Sequence, residues 1–299
     1  MTIQVKTELT KKIKVLVAAN RVARPHTHGK AKCPFDAGNE AMTPPSSLEI
    51  VTLEKGKDKW QIRVMENKFP FLSPREKFEK NKNTTGGFGC HEVIVETPNH
   101  DELFENLNET QLTLLFEAYV NRFNAISEKK GVEYTFLFKN HGKEGGASIN
   151  HEHSQIVGLP FIPEIPACEF KMHSEKKCSY CSLARENVVF QNSEFAVVRP
   201  SFARFELECW VIPKKHIYNF IQFNEKTALA FMETLQETVK RIKRKTENYN
   251  IVFHASCKNK KIHFHAEVYP RTSVYAGLEL GTGIIANIMD DKTALKILK

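Results

Sequence analysis

The chain has 299 residues, 41% of them apolar and 26% charged, with a formal net charge of +8 at pH 7. That length can bury one large core or two smaller ones, and the composition is that of a globular protein rather than a disordered one. No apolar run approaches a membrane span, Met1 to Lys14 carry no signal-peptide core, and zinc-finger, RNA-recognition and basic-zipper patterns are missing. The expectation is a cytoplasmic protein whose partners are neither nucleic acid nor membrane. The basic excess gathers at Lys240–Lys245 and Lys258–Lys261, read as solvated faces; a modest positive field also suits phosphorylated small substrates. Seven cysteines without a signal do not suggest disulfides.

In chain order, His26-Thr-His28 lies in a Pro/Gly/Lys-rich loop and is taken as surface. Cys33-Pro-Phe-Asp36 follows, then a strand over Trp60–Val64 and a Lys/Asn/Gly-rich stretch, Ser73–Gly89, read as a mobile loop over a site. His100 comes after Thr97-Pro-Asn. Asn108 caps a helix whose Leu112, Leu115, Phe116, Tyr119, Phe123 and Ile126 follow helical spacing. A strand over Tyr134–Phe138 leads to the glycine-rich segment Gly145-Gly-Ala-Ser148, and then to His151, His153 and Gln155 at strict alternation. Alternate strand residues share a face, so two imidazoles and a carboxamide should project beside a loop whose amides can meet phosphate. Pro160–Pro166 reads as a crossing between halves.

The order then repeats: Cys178-Ser-Tyr-Cys181, a strand over Phe195–Val198, and His216 after Pro213-Lys-Lys. A helix capped by Asn224 carries Leu229, Met232, Leu235, Val239 and Ile242, and a strand over Ile251–His254 precedes His263-Phe-His265. His151 and His263 lie 112 residues apart, His100 and His216 lie 116 apart. An ordered set recurring at nearly constant offset indicates an internal duplication, dividing the chain into 1–165 and 166–299. The glycines of Gly277–Gly283 are read as turn punctuation. Cys90, Cys209 and Cys257 are expected to be small buried residues.

Each half offers a metal-ligand set. Cys178, Cys181, His216 and His263 make a complete Cys2His2 group, suited to a structural zinc. Cys33, Asp36, His100 and His151 make its counterpart, with a harder carboxylate in place of one thiolate. One or two zinc ions per chain are expected, the Cys178 site the tighter.

These residues together resemble the galactose-1-phosphate uridylyltransferase family, a branch of the histidine-triad superfamily. The resemblance runs through Cys33–Glu40 with Thr43-Pro-Pro45, Trp60–Val64 leading to Asn67-Lys-Phe-Pro70, His91–His100, Phe138–Gly142, Ser148–Gln155 and Gly277–Gly283. It is nearest to divergent members similar to ADP-glucose phosphorylases. The resemblance implies an α+β fold of two tandem histidine-triad-like halves, each an antiparallel sheet with a flanking helix. It further implies a double displacement in which His153 takes a nucleoside monophosphate from a nucleotide sugar. His151 becomes a metal ligand, Gln155 binds the phosphoryl group, Ser148, Asn140 and Gly142 line the phosphate site, and Asn67 and Lys68 lie near the nucleoside. Two departures stand out: Asp36 where the family has cysteine, and Glu152 where a proline is common. Glu152 should point to the opposite face of the strand.

Histidine-triad hydrolases carry a third alternate histidine; here that place is Gln155, which cannot deliver a proton to a leaving group. Transfer to a sugar phosphate or to phosphate is therefore favoured over hydrolysis. The rivals are a nucleotide hydrolase or phosphorylase on the same scaffold and a zinc-stabilised nucleotide-binding protein without turnover. His265 is followed by Glu267 with no glycine loop before it, so the second half should be structural. A homodimer is the assembly to test.

Overall fold

A computed structural model describes residues 3–8, 10, 13–23, 32–54, 57–77, 80–81, 84–173 and 177–299. His26 and His28 lie outside the described residues. In chain order the elements are β1 (Gln4–Thr7), β2 (Lys14–Val17), β3 (Ser46–Glu54), β4 (Lys57–Glu66), β5 (Lys80–Asn81), β6 (Thr84–Gly86), β7 (Cys90–Val95), α1 (Glu109–Ser127), β8 (Tyr134–His141) and β9 (His153–Leu159). They continue with α2 (Glu164–Met172), α3 (Ser179–Leu183), β10 (Val188–Gln191), β11 (Phe195–Val198), β12 (Cys209–Pro213), α4 (Glu225–Ile242), β13 (Tyr249–His254), β14 (His265–Pro270), α5 (Gly277–Thr282) and α6 (Asp291–Leu298).

Ten strands form one antiparallel sheet in the order β10-β11-β12-β14-β13-β8-β9-β7-β4-β3. Read outward from the β13–β8 seam, each half lists its strands in the same way, so β8, β9, β7, β4 and β3 correspond to β13, β14, β12, β11 and β10. The seam itself is hydrogen-bonded, Tyr249 to Val252 against His141 to Phe138. Backbone groups at the join are thus satisfied as in any sheet interior.

Both long helices lie on one face of this sheet. The Asn108 side chain accepts from the Gln111 N–H and that of Asn224 from the Thr227 N–H, as the capping signals predicted. Leu112, Leu115, Phe116, Phe123 and Ile126 of α1 join Met232, Leu235, Val239 and Ile242 of α4 in one core that also holds Ile62, Ile94, Ile156, Val211 and Phe253 from the sheet. Each such side chain, fully buried, contributes about 1.5–3 kcal/mol. The helices leave the other face of the sheet to the functional side chains.

Two sequence expectations change. Part of Ser73–Gly89 is sheet: β5 and β6 pair with each other and β6 pairs with β1, in a four-stranded sheet ordered β2-β1-β6-β5. Its glycines serve close approach. A Cβ on Gly86 would meet the Lys77 carbonyl oxygen at 1.9 Å, and one on Gly87 would meet the Ile3 side chain. Gly277–Gly283 is not bare turn punctuation either. It forms the short helix α5, closed by Gly283 at φ +75°. No helix among the described residues is long and apolar enough to cross a membrane.

Candidate active site

The strand alternation works as the sequence implies. Ser154 and Ile156 turn to the helical face, where the Ser154 hydroxyl meets Tyr119 of α1 at 2.8 Å. His153 and Gln155 turn to the other face and form part of the lining of a cavity of about 210 Å³. Lys32, Asn67, Lys68 and Ser148 share that lining, while Pro34, Phe35, Pro44, Met65, Val93 and Ile149 supply apolar walls. Asn140 and Gly142 are not among the lining residues. His151 precedes the regular strand, and its ring leaves the cavity for the Cys33 group.

A hydrogen bond defines the tautomer of His153. His153 Nδ1 lies 2.8 Å from the His151 carbonyl oxygen, so Nδ1–H donates and the lone pair is on Nε2. The ring of Phe35 packs edge-on at 5.4 Å. Beside it, the loop from Gly142 to Ser148 closes on itself, with the Ala147 N–H donating to the Gly142 carbonyl and Gly142 and Gly146 at positive φ. The second half anchors this loop. The Glu144 N–H donates to Asn248 Oδ1 at 3.0 Å, and Asn250 Nδ2 donates to Gly145 O and Asn140 Oδ1 at 2.7 and 2.8 Å. Gly142 is needed there, because its Cβ would meet Asn248 Oδ1 at 2.2 Å.

Glu152 does point away from the cavity. It pairs with Lys139 and with His141 Nδ1, at 2.7 Å for the latter. Lys139 also reaches Glu96 at 2.7 Å. Burial opposes the charge on both Lys139 and Glu152, but each partner more than offsets it, so the carboxyl is held low and the ammonium high. This ionised cluster braces the backbone between His151 and His153 from the helical side.

Both predicted ligand sets come together, each with its four ligand atoms within 4.8 Å of one another. In the second half, His263 Nδ1 lies 3.4 Å from both Cys178 Sγ and Cys181 Sγ, and His216 Nδ1 lies 3.5 Å from Cys181 Sγ. In the first, Asp36 Oδ1 lies 2.7 Å from His100 Nδ1 and 3.1 Å from His151 Nδ1, with Cys33 Sγ 3.8 Å from His151 Nδ1. The anchoring is the same: His151 Nε2 donates to the Thr97 carbonyl at 2.7 Å and His263 Nε2 to the Pro213 carbonyl at 3.0 Å, leaving each Nδ1 lone pair for the group. Burial and then His216 push His263 down to about 4, so it is a neutral donor. Burial also pushes the thiols of Cys33 and Cys181 up to about 11. Burial opposes ionisation of Asp36 too, but the His100 and then the His151 imidazole beside it bring it below the usual carboxylate value. Both groups are candidate metal centres.

A third group was missed: Glu169, His254, His265 and Glu267. His254 Nδ1 lies 2.9 Å from Glu169, and Glu267 Oε1 lies 3.3 Å from His265 Nε2. Arg204 and the Tyr269 hydroxyl also reach Glu267. Burial resists the charge on Glu267, but His254 first and then His265 and Arg204 hold it well below the ordinary carboxylate value. Tyr180 stacks on His265 at 4.1 Å and Trp210 lies at 5.4 Å, so rings occupy the space above this imidazole. Glu169 comes from α2, far from His254 and His265 in the chain, and the sequence sets only His265 and Glu267 close together. Phe35, Met65 and Val93, which line the cavity, and His91, 3.0 Å from Gln155, carry no signal of their own in the sequence, because only the folded sheet shows which side chains gather around His153 and Gln155.

The description "Galactose-1-phosphate uridyl transferase, N-terminal domain" matches residues 5–163, and "HIT domain" matches residues 183–272. Among curated proteins, the chain is 28% identical over 291 residues to ADP-glucose phosphorylase of Arabidopsis thaliana, spanning 90% of this chain and 82% of that protein. It is 27% identical over 308 residues to galactose-1-phosphate uridylyltransferase of Thermotoga maritima, spanning 95% and 94%. A solved structure of an ADP-glucose phosphorylase from Arabidopsis thaliana with bound ADP-glucose superposes with a TM-score of 0.80 at 26% identity, covering 98% of this chain and 97% of that one. With its first half matched throughout and its second half matching the HIT description, the chain belongs to the galactose-1-phosphate uridyl transferase family, enzymes of the nucleotidyltransferase type.

Proposed function

We propose that this enzyme moves a nucleoside monophosphate from a nucleotide sugar to a sugar phosphate or to phosphate through a covalent adduct on His153. The observation that carries the reading is His153, with its lone pair on Nε2, beside Gln155 in an apolar cavity next to a glycine-rich loop. The Nε2 lone pair attacks the α-phosphorus. A P–N bond forms, the P–O bond to the sugar phosphate breaks, and the sugar phosphate leaves with the electron pair. The cationic phosphoimidazole keeps its Nδ1 hydrogen on the His151 carbonyl. An acceptor phosphate oxygen then attacks, the P–N bond breaks, and the neutral imidazole is restored. The Gln155 amide and Ser148 are uncharged donors to the spread negative charge; Lys32 and Lys68 attract the anion; Asn67 meets the nucleoside. Asn140 and Gly142 act by shaping the phosphate loop. Residues 1–165 carry the chemistry, and residues 166–299 support it.

Zinc is the metal that suits both ligand groups. With Zn–S about 2.3 Å and Zn–N about 2.0–2.1 Å, a tetrahedral site has S···N edges of roughly 3.5 Å. The Cys178, Cys181, His216 and His263 group shows edges of 3.4 and 3.5 Å. The Cys33, Asp36, His100 and His151 group is less regular: its Asp36–His100 contact of 2.7 Å is a hydrogen-bond distance, shorter than a tetrahedral edge, and Cys33 Sγ lies 3.8 Å from His151 Nδ1. A bound zinc would tie each Cys-bearing loop to the end of its histidine strand.

Intact-protein mass spectrometry after incubation with UDP-glucose, UDP-galactose, ADP-glucose and GDP-mannose tests the reading. At least one should leave a nucleoside monophosphate adduct that is lost in acid, survives base, and is absent from His153→Asn. Product analysis with phosphate and with a hexose 1-phosphate then names the acceptor. An adduct persisting in His153→Asn, or no adduct and no turnover with any nucleotide, overturns it, the latter in favour of a binding protein.

A further inference from the structure

We infer that His91 is a positioning residue that decides which end of the Gln155 carboxamide faces the reacting phosphoryl group. The inference rests on the proposed role of His153 and Gln155. On β7, His91 stands opposite Val157 of β9, which makes it the diagonal neighbour of Gln155 on the same face. Both side chains are buried.

The ring's tautomer follows from its neighbours. The main-chain N–H of Phe71 donates to His91 Nδ1 at 3.0 Å, so a neutral ring carries its hydrogen on Nε2. Two side chains approach that nitrogen: Gln155 Oε1 at 3.0 Å and Asn67 Nδ2 at 3.2 Å. Asn67 cannot offer its oxygen instead, because that oxygen accepts the Phe69 N–H at 2.9 Å. The Nε2 hydrogen therefore goes to Gln155 Oε1. With its oxygen taken, Gln155 has only its NH2 to present to the cavity. The opposite orientation would set a carbonyl dipole against a phosphoryl anion. The ring is itself clamped: Phe71 stacks on it at 5.0 Å and 3°, and the Arg21 guanidinium lies 3.7 Å from the centre of Phe71. Asn67, at the cavity wall, shares the clamp through its N–H to the His91 carbonyl at 2.8 Å.

The test uses the full chain and the nucleotide sugar that labels the unaltered enzyme. His91→Phe keeps the stacking ring and removes the donor; His91→Gln returns an N–H near the place of Nε2. The maximal rate of adduct formation on His153 should fall about 10- to 100-fold in His91→Phe, the range for a hydrogen bond to a charged group. The half-saturating concentration should change little, and His91→Gln should recover most of the rate. In a Gln155→Ala background, His91→Phe should cost nothing more. A wild-type rate in His91→Phe, or an undiminished loss in the Gln155→Ala background, overturns the inference. An independent reading comes from long-range 15N–1H spectra of the unaltered protein, which should show His91 protonated on Nε2. The other tautomer overturns the inference whether or not the enzyme forms an adduct, whereas a missing adduct alongside the expected tautomer counts against the proposed function instead.

Discussion

Across β7 and β9, Gln155 stands opposite Val93; across β12 and β14, at the corresponding position, Glu267 stands opposite Trp210. The small side chain leaves a cavity in the first half, lined by His153. In the second half the indole and the Tyr180 ring cover His265, and the Trp210 N–H donates to the buried Glu208 at 2.8 Å. Charge separates the halves as much as volume does. The first presents the uncharged Gln155 carboxamide to a cavity that Lys32 and Lys68 also line. The second presents Glu169 and Glu267, whose charges are already taken by His254 and Arg204. One register of side chains on one pair of strands thus borders a cavity or packed rings, according to what stands opposite.

The sharpest way to break this comparison is to treat the corresponding histidines alike. His153→Asn should lower turnover by at least about 10⁴-fold with the melting temperature nearly unchanged, as expected for loss of a nucleophile. His265→Asn should do the reverse, lowering thermal stability while His153 is still labelled. Comparable rate losses in both would mean that the second half takes part in the chemistry.

Filling the first cavity as the second is filled comes next. Val93→Trp should abolish nucleotide binding in calorimetry while the chain still folds. Trp210→Val should create a hole and cost about 3–5 kcal/mol in denaturant unfolding. Retained affinity in Val93→Trp would place the nucleotide elsewhere.

The two candidate metal centres sharpen the contrast. Stepwise chelation should empty the Asp36 site first and the Cys178 site last, with the larger fall in melting temperature at the second step. Asp36→Cys should delay the first loss. Elemental analysis of each fraction decides, and early loss from the Cys178 group would reverse the assignment.

A smaller effect belongs to the charged pair beneath Tyr180. Glu267→Gln should cost about 3 kcal/mol, because it leaves Arg204 and His254 facing a neutral amide. The pH dependence has two limbs, which describe one interaction seen from its two partners. Glu267 is depressed from 4.5, so its contribution is present above that value and lost as the pH falls toward its folded value. Burial lowers His254, but Glu267 and Glu169 raise it above 6.5 on balance, so its contribution is present below 6.5 and lost as the pH rises through the folded value. Urea midpoints of Glu267→Gln should therefore vary less between pH 5 and pH 3 than those of the unaltered chain. An equal slope would show that the pair does not set the acid limb.

Spacing and local chemistry determined much of this protein in advance. The duplication, both asparagine caps, the alternation of His153 and Gln155, the turn of Glu152 to the opposite face and the two ligand groups are legible because each depends on residues at short or repeated intervals. The tertiary structure decided the rest. Ser73–Gly89 became partly sheet only because β1, far away in the chain, supplies an edge for β6. Glu169 joins His254 and His265 through the packing of α2, and His91 meets Gln155 because β7 and β9 are neighbours that the chain order separates with α1 and β8. Which half keeps a cavity was settled by Val93 and Trp210, ordinary strand residues whose meaning depends on the side chain across the ladder. Cross-strand contacts are long-range, and a single sequence encodes the alternation of faces but not which strands will share them.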